Sequence, residues 1–269
     1  MASATERLAK LAGEFNSSAT CINDDTLELQ IELLRADGRN VKYTIVAYAD
    51  GPKVRAKEKA PQHLPSFCPE RHINIDGSFC LYWEGDSSLD VVDEASAMTW
   101  WETLYEFLLQ QERAAKLRHW PTTEGWAHGD AAKFQQRAIE AAVRLGTYFV
   151  DSLREGKLKI VPWRKMGKNQ DSTLRLYREG VFLYSVWASQ RRVVNKKQRC
   201  FCKKRGGRHR YRLRTCSTHA VDGADLVLAL NDWERSEADF WRYVGKENCC
   251  GTCDECPLNK SSPKQEASV

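Results

Sequence analysis

The chain has 269 residues, of which 42% are hydrophobic and 29% charged, and its formal net charge is +5. That length and apolar content suffice for one large core or two smaller ones. Charges recur every few residues through the N-terminal MASATERLAKLAGEF, which excludes a signal peptide or a membrane span there. A soluble, cytoplasmic protein without membrane partners is expected.

The predicted elements begin with a short amphipathic helix over Thr5 to Phe15, where Leu8, Leu11 and Phe15 share one face. Leu27, Leu29, Ile31 and Leu33 alternate with Glu28, Gln30 and Glu32, the period of a half-buried strand. Asp37-Gly38 supplies turn chemistry, so Val41 to Tyr48 completes a hairpin, and Val54 to Lys57 adds a third strand. Three prolines between Pro61 and Pro69 forbid regular structure and lead into RHINIDGSFCLYW at residues 71–83. Trp100, Leu104, Phe107, Leu108 and Gln111 then fall at helical spacing. A further helix, capped by Asp130, carries Phe134, Ala138, Ala141, Ala142 and Leu145 and continues past Gly146 to about Arg154.

Beyond Glu155 the texture changes to short β-rich pieces: Lys157 to Trp163, Leu174 to Glu179 and Val181 to Ala188, with Gly180 as a turn. Arg210 to Thr215 adds a strand, and Ala224 to Val244 reads as one or two helices. The boundaries implied are a first domain over 1–155, a second over 156–258, and a disordered tail over 259–269.

Within the central motif, Cys80 shares a loop with His72 and Asn74. A thiolate is a strong nucleophile and a good leaving group, and an Asn amide can hydrogen-bond the oxyanion formed when a thioester is attacked, so acyl transfer is the chemistry suggested. The bland alternative is a small buried hydrophobe, since free cysteines are among the most buried residues. The order of parts decides between them. Helix, antiparallel meander, proline-rich loop, His72-Ile73-Asn74, Asp76-Gly77-Ser78-Phe79-Cys80-Leu81, Trp100-Trp101 and two further helices together resemble the ubiquitin-conjugating enzyme family. The element order covers about Thr5 to Arg154, and Ile73 stands where that family has proline.

The resemblance implies an α+β ubiquitin-conjugating-like fold and a Cys80 that carries a protein C-terminus as a thioester before surrendering it to an amine. By the same resemblance Asn74 stabilises the oxyanion or holds the loop, and His72 fixes the loop's geometry. Asp76, Glu84 and Glu124 are equal candidates for an acidic residue on the lysine path. A conjugating domain with a cysteine-rich C-terminus further resembles proteins of bacterial antiphage operons (CBASS) that hold a cGAS-like cyclic-oligonucleotide synthase. Its implied partners are that synthase or a ubiquitin-like protein as cargo, target proteins, and a separate activating enzyme.

Ten cysteines would suggest a disulfide framework in a small secreted chain, but seven of these cluster between Cys200 and Cys256 while Cys21, Cys68 and Cys80 are scattered. Cys200, Cys202, Cys216, His219, Cys249, Cys250, Cys253 and Cys256 form a candidate ligand set for structural zinc, enough for two tetrahedral sites or for one site with spare thiols. His209 competes with His219. The second domain is therefore expected to be a small zinc-bound, cysteine-rich module. Gln190 to Arg214 holds twelve Lys or Arg and no acidic residue. It reads as a solvated face or a docking site for an acidic partner, with nucleic-acid binding as the rival. The alternative for the whole chain is a non-catalytic zinc-containing adaptor on a degenerate conjugating fold.

Overall fold

The computed structural model describes residues 2–35, 38–83, 89–121, 125–166, 171–201, 212–216 and 218–259. Helix α1 (Ala4–Leu11) starts where Ser3 and Glu6 form a reciprocal capping box, and it buries Leu8 and Leu11. A 3-10 turn over Ala12–Phe15 replaces the helix predicted to continue there. Strands β1 (Ser17–Asn23), β2 (Thr26–Leu34), β3 (Asn40–Asp50) and β4 (Lys53–Glu58) follow as an antiparallel meander in the order β1-β2-β3-β4. Leu27, Leu29, Ile31 and Leu33 of β2 are all buried, as their alternation requires. Strand β1 had no such signal: it lies at the sheet edge and is largely exposed and polar, so nothing in its sequence alternates. The Asp37 half of the predicted turn lies outside the described residues.

Helix α2 (Glu94–Leu117) extends well beyond the predicted apolar stripe, because Asp93 and Ser96 cap it a turn and a half before Trp100. Two adjacent tryptophans fix its position. Trp100 donates its indole N–H to the Val54 carbonyl at 3.1 Å, and Trp101 donates to the Leu8 carbonyl at 3.0 Å. One helix is thereby tied to β4 and to α1, with both polar atoms satisfied inside the core. Phe15 stacks on Trp101 with ring centroids 5.2 Å apart.

Contacts divide the chain into two units, residues 1–125 with 244–269, and residues 126–243. The second holds α3 (Ala131–Leu145), α4 (Thr147–Arg154), a sheet of β5 (Leu158–Met166), β6 (Asp171–Arg178), β7 (Val181–Trp187) and β8 (Arg192–Val193), and most of α5 (His219–Val244). Helices α3 and α4, read from sequence with the first domain, thus group with the second sheet, while the C-terminal cysteines group with the first unit. Glu179 and Gly180 both have positive φ and join β6 to β7 as a two-residue hairpin turn.

Three local expectations need correction. Asp130 makes no side-chain cap: its backbone is already helical, and its carboxylate pairs with Lys133 at 3.3 Å. Leu213–Thr215 is a 3-10 turn rather than a strand, with only Arg212 bridging to Arg199. The segment over Ala224 to Val244 is a single helix that begins earlier, at His219. Of the basic run, residues 202–211 lie outside the described residues, Cys202 and His209 among them. Among the described residues no helix is long and apolar enough to cross a membrane.

The twin-tryptophan anchor yields a direct test. Trp101→Ala removes a fully buried ring, and its Leu8 hydrogen bond as well. A loss of about 3–5 kcal/mol in unfolding free energy is expected, read from urea denaturation, with a smaller loss for Tyr105→Ala on the partly buried side of the helix.

Candidate active site and thiol clusters

The motif loop is built from two turns pinned to the first sheet. Cys68 and Ile73 pair in both directions: the Ile73 N–H donates to the Cys68 carbonyl at 3.0 Å and the Cys68 N–H donates to the Ile73 carbonyl at 3.1 Å. Between them Pro69–Arg71 makes one 3-10 turn, closed by His72 in the left-handed region at φ 54. The second turn closes through Asn74 N–H to the Ser78 carbonyl at 2.8 Å, and Gly77 supplies the positive φ of 78 that it requires. Phe79 N–H then donates to Ala56 of β4, and Cys80 N–H to the His72 carbonyl, each at 2.8 Å. The Phe79 ring stacks on Phe107 of α2 at 4.8 Å.

This arrangement assigns the predicted residues different tasks. Cys80 is half-buried, and burial pushes its thiol above the ordinary value. The Tyr82 carbonyl is 4.0 Å from its sulfur. Asn74 is exposed, and its amide donates to the Ser78 hydroxyl at 3.0 Å, so in this state it braces the second turn. Ser78 in turn donates from its amide (3.0 Å) and its hydroxyl (2.6 Å) to Asp76. Desolvation, the largest single effect on Asp76, acts upward, yet these bonds and the nearby Lys57 and Arg55 leave its carboxyl below the ordinary value. Glu84 and Glu124 lie outside the described residues. The His72 ring packs edge-on against Trp120 at 4.9 Å, while the His72 carbonyl holds the Cys80 amide.

Sequence reasoning missed Arg71. It is only 2% exposed, and its guanidinium donates to the Gln111 side chain at 2.8 Å and to the Gln111 carbonyl at 3.0 Å, while the Gln111 amide returns a bond to the Arg71 carbonyl. The available signal was Gln111 itself, a polar residue on the apolar face of a predicted helix.

None of the nine described cysteines is in a disulfide. Cys200, Cys216 and His219 bring ligand atoms within 4.8 Å of one another. Their sulfurs lie 3.3 and 3.4 Å from His219 Nδ1, close to the ~3.5 Å between a sulfur and a nitrogen on one tetrahedral zinc. His219 Nε2 sits 3.2 Å from the Arg144 carbonyl, which can only accept, and this orients the ring with Nδ1 toward the two sulfurs. The donor set therefore fits a divalent metal. Cys202, two residues from Cys200, is the fourth candidate.

The remaining cysteines are elsewhere. Cys250 and Cys68 lie 3.0 Å apart within the first unit. Their contact raises Cys68 above the ordinary thiol range while lowering Cys250. Burial raises the Cys256 thiol above the ordinary value.

Two outcomes follow from the loop geometry. Ile73→Pro, which restores the conjugating family's residue, removes the N–H that the Cys68 carbonyl accepts, so a cost of about 1–3 kcal/mol is expected in denaturant unfolding. Cys80 should alkylate with iodoacetamide more slowly at neutral pH than the exposed Cys21, because the raised thiol is protonated there, and its rate should still climb above pH 9. Peptide mass spectrometry across a pH series reads both residues in one sample.

Family comparisons agree with this geometry. A family model described as a prokaryotic E2 domain matches residues 15–122, and one described as a cysteine-rich domain, C-terminal to E2 domain, matches residues 127–258. No curated protein and no solved structure matches the chain significantly. The first match spans the first sheet, the motif loop and α2, and the second spans α3 to α5, the second sheet and the C-terminal cysteines. The chain belongs to the bacterial E2-like, ubiquitin-conjugating-like family in which an E2 domain is followed by a cysteine-rich C-terminal domain.

Proposed function

We propose that the chain is a cysteine-dependent protein-conjugating enzyme in which Cys80 carries a protein C-terminus. The Cys80 sulfur attacks the carbonyl of an activated C-terminus, a new C–S bond forms, and the donor's leaving group departs, with the thiol proton lost to solvent or to that group. An amine then attacks the thioester, a C–N bond forms, and the Cys80 sulfur leaves and regains a proton. The observation that carries this reading is the state of Cys80 in an E2 domain: a half-buried thiol fixed through its backbone, raised by burial rather than lowered by a cation. A cysteine hydrolase must generate its own thiolate to break an amide and pairs the sulfur with a base. A carrier receives an acyl group already activated, so a buried thiol serves.

In this reading Asn74 and Ser78 keep the second turn closed, and His72 anchors the loop. Oxyanion stabilisation by Asn74 requires its amide to leave Ser78 in the reacting state. Zinc at Cys200, Cys216, His219 and Cys202 is structural, the most suitable ion for mixed sulfur and imidazole donors. The cargo is a cGAS-like synthase or a ubiquitin-like protein, loaded by a separate activating enzyme in the bacterial cytoplasm, and antiphage defence is the setting.

Incubation with cargo and activating enzyme should give a covalent adduct that collapses on adding excess thiol and is absent in Cys80→Ala. An adduct that persists in Cys80→Ala, or that follows Cys68, removes Cys80 from the role.

A further inference from the structure

The second sheet has a packed face and an open one. By the strand register Ile160, Leu174, Leu176, Tyr184 and Val186 share one side, where they are buried in a core with residues of α3, α4 and α5. The opposite side carries Trp163 on β5, Tyr177 on β6, and Phe182 and Trp187 on β7. Trp163 is 40% exposed and Phe182 49%, which is unusual for large rings unless they meet a partner. We propose that this aromatic face of β5 to β8 binds a single strand of RNA, whose bases stack on the rings while its phosphates meet the cations beside them. The surface lies in the second unit and does not depend on acyl transfer at Cys80.

The register orders the rings into rows. Tyr177 and Phe182 are cross-strand partners with ring centroids 5.7 Å apart. Trp163 and Trp187 both pair with Thr173, so they stand on either side of β6, about 10 Å apart at two strand spacings. Arg175 occupies the rung between these two pairs. Its guanidinium sits 3.5 Å from the Trp163 ring centroid and 5.6 Å from that of Phe182, and this stacking holds the charge in place on the face. Arg175 Nε is buried and meets no hydrogen-bond acceptor among the described residues. A phosphate oxygen or a base carbonyl supplies that acceptor.

Charge on this side has one sign. Besides Arg175, its charged members among the described residues are Lys159, opposite Tyr177, and Arg192 on β8, opposite Trp187. The acidic groups nearest them are Glu234 of α5, whose charge interacts with Lys159, and Glu179 in the turn between β6 and β7. Strand β8 also opens the run from Gln190 to Arg214 that holds twelve Lys or Arg and no acidic residue, and Lys196, Lys197 and Arg199 of that run are exposed. A basic segment is thus continuous in sequence with the aromatic face.

The combination selects the partner. An acidic protein would engage the cations and leave the rings without a role, whereas a polymer that alternates flat bases with phosphates engages both. In a duplex the base faces are already stacked on one another, so only a single strand can offer them. Tyr177 and Ser185 add hydroxyl groups to the same side of the sheet, as partners for the 2′-hydroxyl that distinguishes RNA from DNA.

The test is fluorescence anisotropy of a labelled oligouridylate of about twelve nucleotides titrated with purified full-length protein across a salt series, beside circular dichroism to confirm folding. Saturable binding that weakens as salt rises is expected. Trp163→Ala and Phe182→Leu should each weaken it at least about fivefold with the salt slope unchanged, because they remove stacking alone. Arg192→Gln should weaken it and flatten the slope. Phe182→Leu keeps apolar bulk at a half-exposed position, so it decides the matter should Trp163→Ala fail to fold. Absence of binding overturns the proposal, as does binding that folded ring variants leave intact, the mark of charge attraction alone. Oligodeoxyuridylate of the same length, an RNA duplex or polyglutamate that competes as well as the unlabelled oligouridylate also overturns it, since each assigns the face to a different partner.

Discussion

The reciprocal backbone pair between Cys68 and Ile73 is the constraint on which the rest of the site depends. It closes a six-residue loop, and closure forces His72 into the left-handed region, a conformation that a non-glycine residue adopts at some cost. The strain is tolerated because the ends are held independently: Arg71 by Gln111 on α2, and Phe79 by Ala56 on β4. With His72 so placed, its carbonyl points at the Cys80 amide. Position of the candidate nucleophile is thus a backbone property, and the side chains of the motif are left to seal turns.

Ile73 shows why the departure from the conjugating family's proline is workable. Proline has no N–H, so it could not make one half of the Cys68 pair. Isoleucine makes both halves and buries its side chain in the main core, next to Phe79. A rigid ring has been exchanged for a hydrogen bond plus apolar burial. The exchange ties the turn to Cys68, whose sulfur is engaged by the C-terminal cysteines, and so a residue far away in sequence gains leverage on the loop.

How far the sequence carries depends on whether a feature is periodic or convergent. The alternation of β2 and β3, the helical face of α2 and the hairpin at Gly180 were readable because burial on one face repeats at a fixed spacing. Strand β1 was not, since an edge strand with little burial leaves no alternation. The order of elements and the short run around Cys80 identified the family. The membership of the thiol clusters was not readable. Cys68 and Cys250 are separated by most of the chain, and only folding shows that Cys250 and Cys253 turn toward Cys68 while Cys200 and Cys216 turn toward His219. Arg71 was hidden for a related reason: a charge in a loop is usually solvated, and its burial depends on a single glutamine one helix away.

The electrostatics of the two kinds of cysteine argue for a division of labour. At Cys250 and Cys253 the contact with Cys68 and the Arg71 charge favour sulfur as an anion against the opposing effect of burial. Around Cys80 burial opposes the anion and raises the thiol above the ordinary value. A more basic thiol is also a poorer leaving group, so a thioester on Cys80 is the better kept for an amine that has been positioned to attack. Were Cys80 lowered as Cys250 is, it would be both an easy target for oxidation and a leaky carrier. The half-buried thiol, raised by burial, is therefore consistent with the proposed carrier role and unlike the base-activated sulfur of an enzyme that cuts amides.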